Sequence, residues 1–362
     1  MKRNYYIFSS GKLIRKDNTL YFEPGESSEP EDVSDTEEIE VEDESLTEND
    51  AEEREPARLP RKPIPVEDID SIYCYGELKF NTKFLNFLAR KEIILHLFNY
   101  YGYYTSSFYP REPYLSGRLL VEQVKRHLDK EARLEIAKKF IIGAAENIKK
   151  NLQYYNGRDK DLSYFIDKAE EAIRKIPGCG DVQELMGIEG NLRSDYYMAW
   201  NLIVNPEINF EKREKRPPSN PINALISFGN SLVYTVVLSE IYRTQLNPLI
   251  SYLHEPGERR FSLALDIAEV FKPLLADRII FSLLNKNQIQ EKHFSKELNK
   301  CYLTEDGRKI FLKEFDEKLK TTIKHRQLKR NVSYRHLIRL ECYKLIKHII
   351  GEKEYKPFTI WW

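Results

Sequence analysis

Only four of the 362 residues are cysteine, Cys74, Cys179, Cys301 and Cys342, and no two form a Cys-x-x-Cys pair. That scarcity argues against a zinc ribbon or a disulfide-stapled scaffold and suits a reducing, cytoplasmic setting. An uninterrupted apolar run of membrane length is also missing. The longest, Ala224 to Tyr242, contains Ser227, Asn230, Ser231, Thr235, Ser239 and Glu240. It is expected to form a buried core helix instead of a membrane span. Met1 to Ser10 is short, polar and strand-like, without the pattern of a signal peptide. No internal repeat is visible.

What is present is a chain longer than one core usually holds, so two domains are expected. Its apolar fraction of 41% suffices for packed interiors. The formal net charge of zero conceals a strong asymmetry. Glu23 to Glu55 holds 17 acidic residues and one basic residue, Arg54. The remainder carries 56 basic against 40 acidic residues, a net of +16. Such a body attracts polyanions, nucleic acid first among them.

The N-terminal part reads as β: a strand at Tyr5 to Ser9, a hairpin over Leu13 to Phe22, and extended stretches at Pro63 to Val66 and Ser71 to Tyr75. Asn81 to Lys91 has helical spacing, and Ile93 to Phe98 returns to strand. Residues 109–115, opening on Tyr109 and Pro110, read as a linker. From Ser116 the periodicity is helical, with helices expected near 116–129, 130–154, 160–175, 182–204, 220–242, 245–254, 261–284, 306–326 and 333–349. The expected class is α+β: a β-rich domain over 1–108, a larger all-helical domain over 116–352, and a tail over 353–362. The acidic segment, about 23–58, has too few aromatics to bury enough surface and is read as a solvated insertion. A sharper alternative makes it a DNA mimic that occupies the basic body.

Three sites carry the chemistry. Asp266 and Glu269 lie three residues apart, hence on one helical face, among Phe261, Leu263, Leu265, Ile267, Val270 and Phe271. Burying two carboxylates uncompensated costs several kcal/mol, so a cation is expected against them. His254, just upstream, makes a divalent metal a candidate. A third acid, Glu189, stands in an apolar helical pattern between Gly187 and Gly190. Each of those glycines costs roughly 1 kcal/mol inside a helix, which calls for close packing or close approach of a ligand. Plain structural alternatives exist: Glu189 with Arg193 at i+4, Glu269 with Lys272 at i+3, and His254 as a helix-end residue.

Two basic clusters are candidate DNA contacts. One holds Lys318, Lys320, Lys324, Arg326, Lys329, Arg330, Arg335 and Arg339, interleaved with His325 and Tyr334. The other is the loop with Lys212, Arg213, Lys215 and Arg216. Arg193 is a further candidate.

The chain also resembles a known family, the CRISPR-associated integrase of spacer acquisition ("Cas one"), in its subtype I-B form. The likeness runs through Tyr5 to Ser9, Lys16 to Phe22, Pro63 to Asp70, Phe98 to Tyr104, Tyr109 to Glu112, Gly187 to Gly190, Arg216 to Leu225, His254 to Pro273 and Ser333 to Arg339. It implies a β-sandwich joined to a helical catalytic domain, with Glu189, His254 and Glu269 as ligands of Mg²⁺ or Mn²⁺. Asp266 would be an accompanying active-site acid, and Lys272 would lie near the substrate phosphate. The implied reaction is 3′-hydroxyl attack on a repeat-leader phosphodiester, inserting foreign DNA as a spacer; with water as attacker the site is an endonuclease. Implied partners are double-stranded DNA (prespacer and CRISPR repeat-leader), a second copy of the chain docking through the β domain, and a small "Cas two" partner whose dimer bridges two such homodimers. Other readings on the same fold are an inactive DNA-binding subunit and a repair nuclease for branched DNA. The acidic segment departs from the family pattern, which has a short turn there.

As a solvated insertion the acidic segment should be dispensable for binding. Deleting residues 26–55 is expected to leave low-salt DNA affinity unchanged in a titration; a clear gain would favour the mimic.

Overall fold

This computed structural model describes residues 2–16, 19–25, 62–111, 114–158, 160–204, 210, 212–214, 218–257, 261–297 and 300–361. Most of the expected acidic insertion, Glu112 and Pro113 of the expected linker, and Lys215 and Arg216 of the basic loop lie outside them. The chain divides into two compact units. One is Met1–Tyr100 with Ser106–Pro110, and the other is Tyr101–Thr105 with Arg111–Trp362.

Two sheets are formed by β1 (Arg3–Ile7), β2 (Gly11–Lys16), β3 (Thr19–Pro24), β4 (Lys62–Ile64), β5 (Ile69–Cys74), β6 (Leu78–Phe80) and β7 (Ile94–Phe98), all in the first unit, and by β8 (Tyr104–Phe108), whose last three residues belong to it. Their orders are β1-β5-β7-β8 and β4-β3-β2-β6. Alternating residues such as Ile7, Leu13, Leu20, Phe22, Ile72 and Leu95 meet in one core, closed by Phe84 and Leu88 of helix α1 (Thr82–Lys91). Lys16 pairs with Thr19 across the expected hairpin. Phe22 pairs with Lys62, so the acidic stretch joins two hydrogen-bonded antiparallel strands.

The second unit contains α2 (Gly117–Leu128), α3 (Lys130–Asn156), α4 (Ser163–Lys175), α5 (Val182–Ile203), α6 (Pro221–Tyr242), α7 (Ser262–Lys272), α8 (Arg278–Asn285), α9 (Glu305–Lys320) and α10 (Tyr334–Ile349). Side chains of Ser116, Asp129, Asp181, Asn220, Thr304 and Ser333 accept first-turn amides, which is why six of these helices start where they do. Helix α6, among the described residues the one helix long and apolar enough to cross a membrane, is mostly buried inside the protein.

Three expectations need correction. The unit is not all-helical: β9 (Phe294–Glu297) pairs with β10 (Lys300–Leu303), and β11 (Thr322–Lys324) with β12 (Asn331–Ser333). The helix expected over 306–326 stops at Lys320, where the β-branched run Thr321, Thr322 and Ile323 favours a strand. The helix expected over 245–254 is a loop. There Asn247 exchanges hydrogen bonds with the buried Gln123, its amide donating to Oε1 (2.9 Å) and its carbonyl accepting from Nε2 (3.2 Å). Pro248 also disfavours a helical conformation at Asn247.

Helix α7 continues into a widened π-helical turn, Pro273–Asp277, before α8. Pro273 has no N–H to offer the preceding turn, so carbonyls are released from the helical ladder. Helix α3 supplies replacements: Asn147 Nδ2 donates to the Val270 carbonyl (2.9 Å), and Asn151 Nδ2 to that of Pro273 (2.7 Å). Asn147 also holds the C-terminal tail, donating to the Phe358 carbonyl (3.0 Å) while its Oδ1 accepts from Ile360 N–H (2.9 Å). The tail lies so close to α3 that a Cβ at Gly143 would stand 2.6 Å from Pro357. Replacing Asn147 by Ala strands three buried backbone groups, an expected loss of about 3 kcal/mol in urea unfolding, whereas Asn147→Gln should recover part of it.

Candidate active site

The loop bearing His254 is held from two sides. From α7, the fully buried Asp266 accepts four N–H groups. Oδ2 takes the amides of Tyr252 (2.7 Å) and Leu253 (2.9 Å); Oδ1 takes the amide of His254 (2.9 Å) and its Nδ1 (2.8 Å). These amides therefore answer a carboxylate and not the carbonyls of a helical turn, which is why the segment refuses the helix its pattern suggests. From the opposite side, the ring of His127 bonds the Ser251 carbonyl (2.7 Å), and Arg133 Nε donates to the carbonyl of Tyr252 (2.9 Å). A carboxylate only accepts, so His254 Nδ1 carries a proton, and in the neutral ring the lone pair is left to Nε2.

Glu189 on α5 and Glu269 on α7 meet at one guanidinium. Arg193 Nε donates to Glu189 Oε1 (3.0 Å), and its Nη2 to Glu269 Oε2 (2.5 Å). Lys272 caps the other oxygen of Glu269. Both ion pairs foreseen in the sequence are thus realised, yet they are linked into one cluster that the spacing did not show. Burial pushes the Glu269 pKa up, but Lys272 and Arg193 outweigh it and hold it down at about 2. Burial likewise opposes the charge of Arg193, and Glu269 with Glu189 more than compensates. Among the described residues, no three His, Cys, Asp or Glu side chains gather as metal donors. The two glutamates gather on a cation that belongs to the protein. Hard carboxylate oxygens and an imidazole lone pair fit Mg²⁺ or Mn²⁺ by donor chemistry, with the Arg193 guanidinium on the carboxylates an ion would take.

A family profile, that of CRISPR associated protein Cas1, matches residues 5–317. This chain belongs to the Cas1 family. It is 51% identical over 362 residues to the CRISPR-associated endonuclease Cas1 of Fusobacterium nucleatum, covering 100% of this chain and 98% of that one. A solved Cas1 protein from Thermotoga maritima superposes with a TM-score of 0.79 at 38% identity, covering 97% and 98% of the two chains. A casposase bound to integration product shares the fold, with a TM-score of 0.80 over 99% of this chain and 93% of that one, at 22% identity.

Within this Cas1 fold the basic residues divide. Lys324, Arg326, Lys329 and Arg330 stand exposed on the β11–β12 hairpin. His325 is part of that turn's frame, its Nδ1 accepting from the amides of Gln327 and Leu328. Arg335 and Arg339, expected at DNA, turn inward to Glu240 (3.0 and 2.7 Å), which Arg243 also meets (3.1 Å). Burial raises the pKa of Glu240, and the three arginines outweigh it and keep the carboxyl below its ordinary range. Arg213 is likewise drawn in, to Asn223 Oδ1 (2.9 Å) and Ser227 Oγ (3.0 Å). Arg193 sits at 11% exposure among the carboxylates instead of on an open DNA face. Arg216 lies outside the described residues.

The sequence reading missed Asp277 at the end of the π turn, as well as His127 and Arg133 beneath the His254 loop. An acid closing the apolar run Leu274, Leu275, Ala276 was the available signal for Asp277. Gly187 and Gly190, beside Glu189, are exposed, and a Cβ at either would meet no atom within 4 Å. Close packing therefore does not explain them, and a bare approach to Glu189 remains. Gly190→Ala is expected to stabilise the fold by about 0.5–1 kcal/mol in thermal unfolding. The same variant should weaken DNA binding; unchanged binding would show that the bare face receives nothing.

Proposed function

We propose that this Cas1-family chain is a DNA endonuclease and integrase that inserts foreign DNA fragments as new spacers into a CRISPR array. The observation that carries the reading is the cluster itself: two glutamates from separate helices converge on one cationic group, beside a histidine whose tautomer is fixed. Family membership along nearly the whole chain supplies the context.

Glu189, Glu269 and Nε2 of His254 would hold Mg²⁺ or Mn²⁺. When bound, the ion would polarise a phosphodiester oxygen and orient the attacking oxygen. Asp266 acts through His254 as a positioning residue, because its oxygens are committed to four N–H donors and it is wholly buried. Lys272, 16% exposed beside Glu269, stands where a phosphate oxygen could take its ammonium. The 3′-hydroxyl of a DNA fragment forms the new P–O bond and the cut strand leaves with its own 3′-oxygen; water in the same place gives hydrolysis. The exposed hairpin with Lys324, Arg326 and Arg330 would follow the DNA backbone. With six or more phosphate contacts, affinity should fall with salt at a log–log slope of about −0.9 per contact. The working assembly would be a homodimer joined by the small "Cas two" partner.

The test combines the protein and that partner with a prespacer and a supercoiled repeat plasmid, in Mn²⁺ or in EDTA. Half-site joining should need the metal and fall by at least about a hundredfold in Glu189→Ala and His254→Ala. Binding without strand transfer would mark an inactive structural subunit. Cutting of branched DNA without joining would mark a repair nuclease.

A further inference from the structure

The widened turn after α7 presents a carboxylate that the reaction does not use. Asp277 is 2% exposed. Its Oδ2 has no hydrogen-bond partner, and the Tyr196 hydroxyl favours its charged form. A buried carboxylate oxygen left unpaired is costly, and such groups call for an explanation. Its charged neighbours are Arg193 and Lys272, with Glu269 as the like charge. Burial pushes its pKa up to about 7 while Arg193 pulls the other way, and the guanidinium's hydrogen bonds go to Glu189 and Glu269 instead. Arg193 in turn responds to Glu269, Glu189 and Asp277 together. One guanidinium therefore has three buried or half-buried acids within reach of its field, and it bonds two of them.

The geometry points to Asp277 as a second seat for Arg193. When a divalent cation takes Glu189 and Glu269, the guanidinium turns to the vacant Oδ2 of Asp277 and remains paired and buried. Without that seat, expelling Arg193 would leave a buried cation facing the incoming ion, and desolvated like charges repel strongly. The π turn is what brings the acid there. Its extra residue shifts everything after Pro273 around the helix, placing Asp277 toward α5 while Asn151 holds the Pro273 carbonyl. Asp277 is thus a positioning residue: it would touch neither substrate nor ion, and it acts by making Arg193 removable.

The inference rests on the metal reading above, and direct Mn²⁺ binding, read by loss of the free-ion EPR signal, separates the two. Arg193→Gln removes the competitor and should tighten Mn²⁺ binding about tenfold. Asp277→Asn, which keeps the volume, should weaken it about tenfold in the Arg193 background. In the Arg193→Gln background the same Asp277→Asn change should have no effect. A merely structural Asp277 would shift affinity equally in both backgrounds, and that result overturns the exchange while leaving the metal reading intact. Wild-type protein that takes up no Mn²⁺ overturns both. Should Asp277→Asn fail to fold, the wild type still decides by NMR of its arginine Nε–H groups on titration with Mg²⁺. An Arg193 signal that shifts but stays protected from solvent exchange supports the second seat; one lost to exchange refutes it.

Discussion

Asp266 is the constraint on which the site depends. A carboxylate at the centre of a helix with no exposed surface would be expelled or neutralised if it stood alone. Here it survives because three consecutive amides and an imidazole converge on it from a loop twelve residues upstream. The dependence runs both ways: the acid needs those donors, and the amides of Tyr252, Leu253 and His254 are committed to it instead of to a helical turn. The consequence is chemical. His254 Nδ1 is fixed as the donor to Asp266, which leaves Nε2 as the ring atom that could serve the proposed cation site.

The second layer is the treatment of excess charge. Arg193, Lys272, Glu189 and Glu269 form a chain of alternating sign spanning two helices. A similar arrangement, inverted, surrounds Glu240, where three arginines share one fully buried acid. The first cluster is built from acids that a divalent cation can claim. The second carries surplus positive charge locked to a single carboxylate, and it ties α6 to α10. Near-identical residue types therefore serve different ends, and the distinction lies in stoichiometry and in which sign remains when the pairs are counted.

Much of the architecture was legible from period and punctuation. Helical period placed helices near 182–204, 220–242 and 333–349, and Leu13 through Phe22 read as the hairpin that the structure forms. The carboxylate pair was legible too, because the apolar surroundings of Asp266 and Glu269 forced a search for a cation. What sequence could not reveal was set by tertiary competition. The 245–254 stretch has a helical pattern, and Gln123, over a hundred residues away, captures its backbone. Arg335 and Arg339 look like surface charges until Glu240 is placed among them. Asp277 is uninformative as a letter; its meaning depends on a π turn that only packing against Asn147 and Asn151 makes affordable.

Glu189, His254 and Glu269 are proposed to hold a divalent cation where the Arg193 guanidinium now stands. Crystals grown with Mn²⁺, recorded at the manganese absorption edge, test it most directly. One anomalous peak is expected, bonded to an oxygen of each glutamate and to Nε2 of His254, with the Arg193 guanidinium withdrawn from both acids. An ordered Arg193 still bridging Glu189 and Glu269, with no peak beside His254 at saturating Mn²⁺, would contradict it.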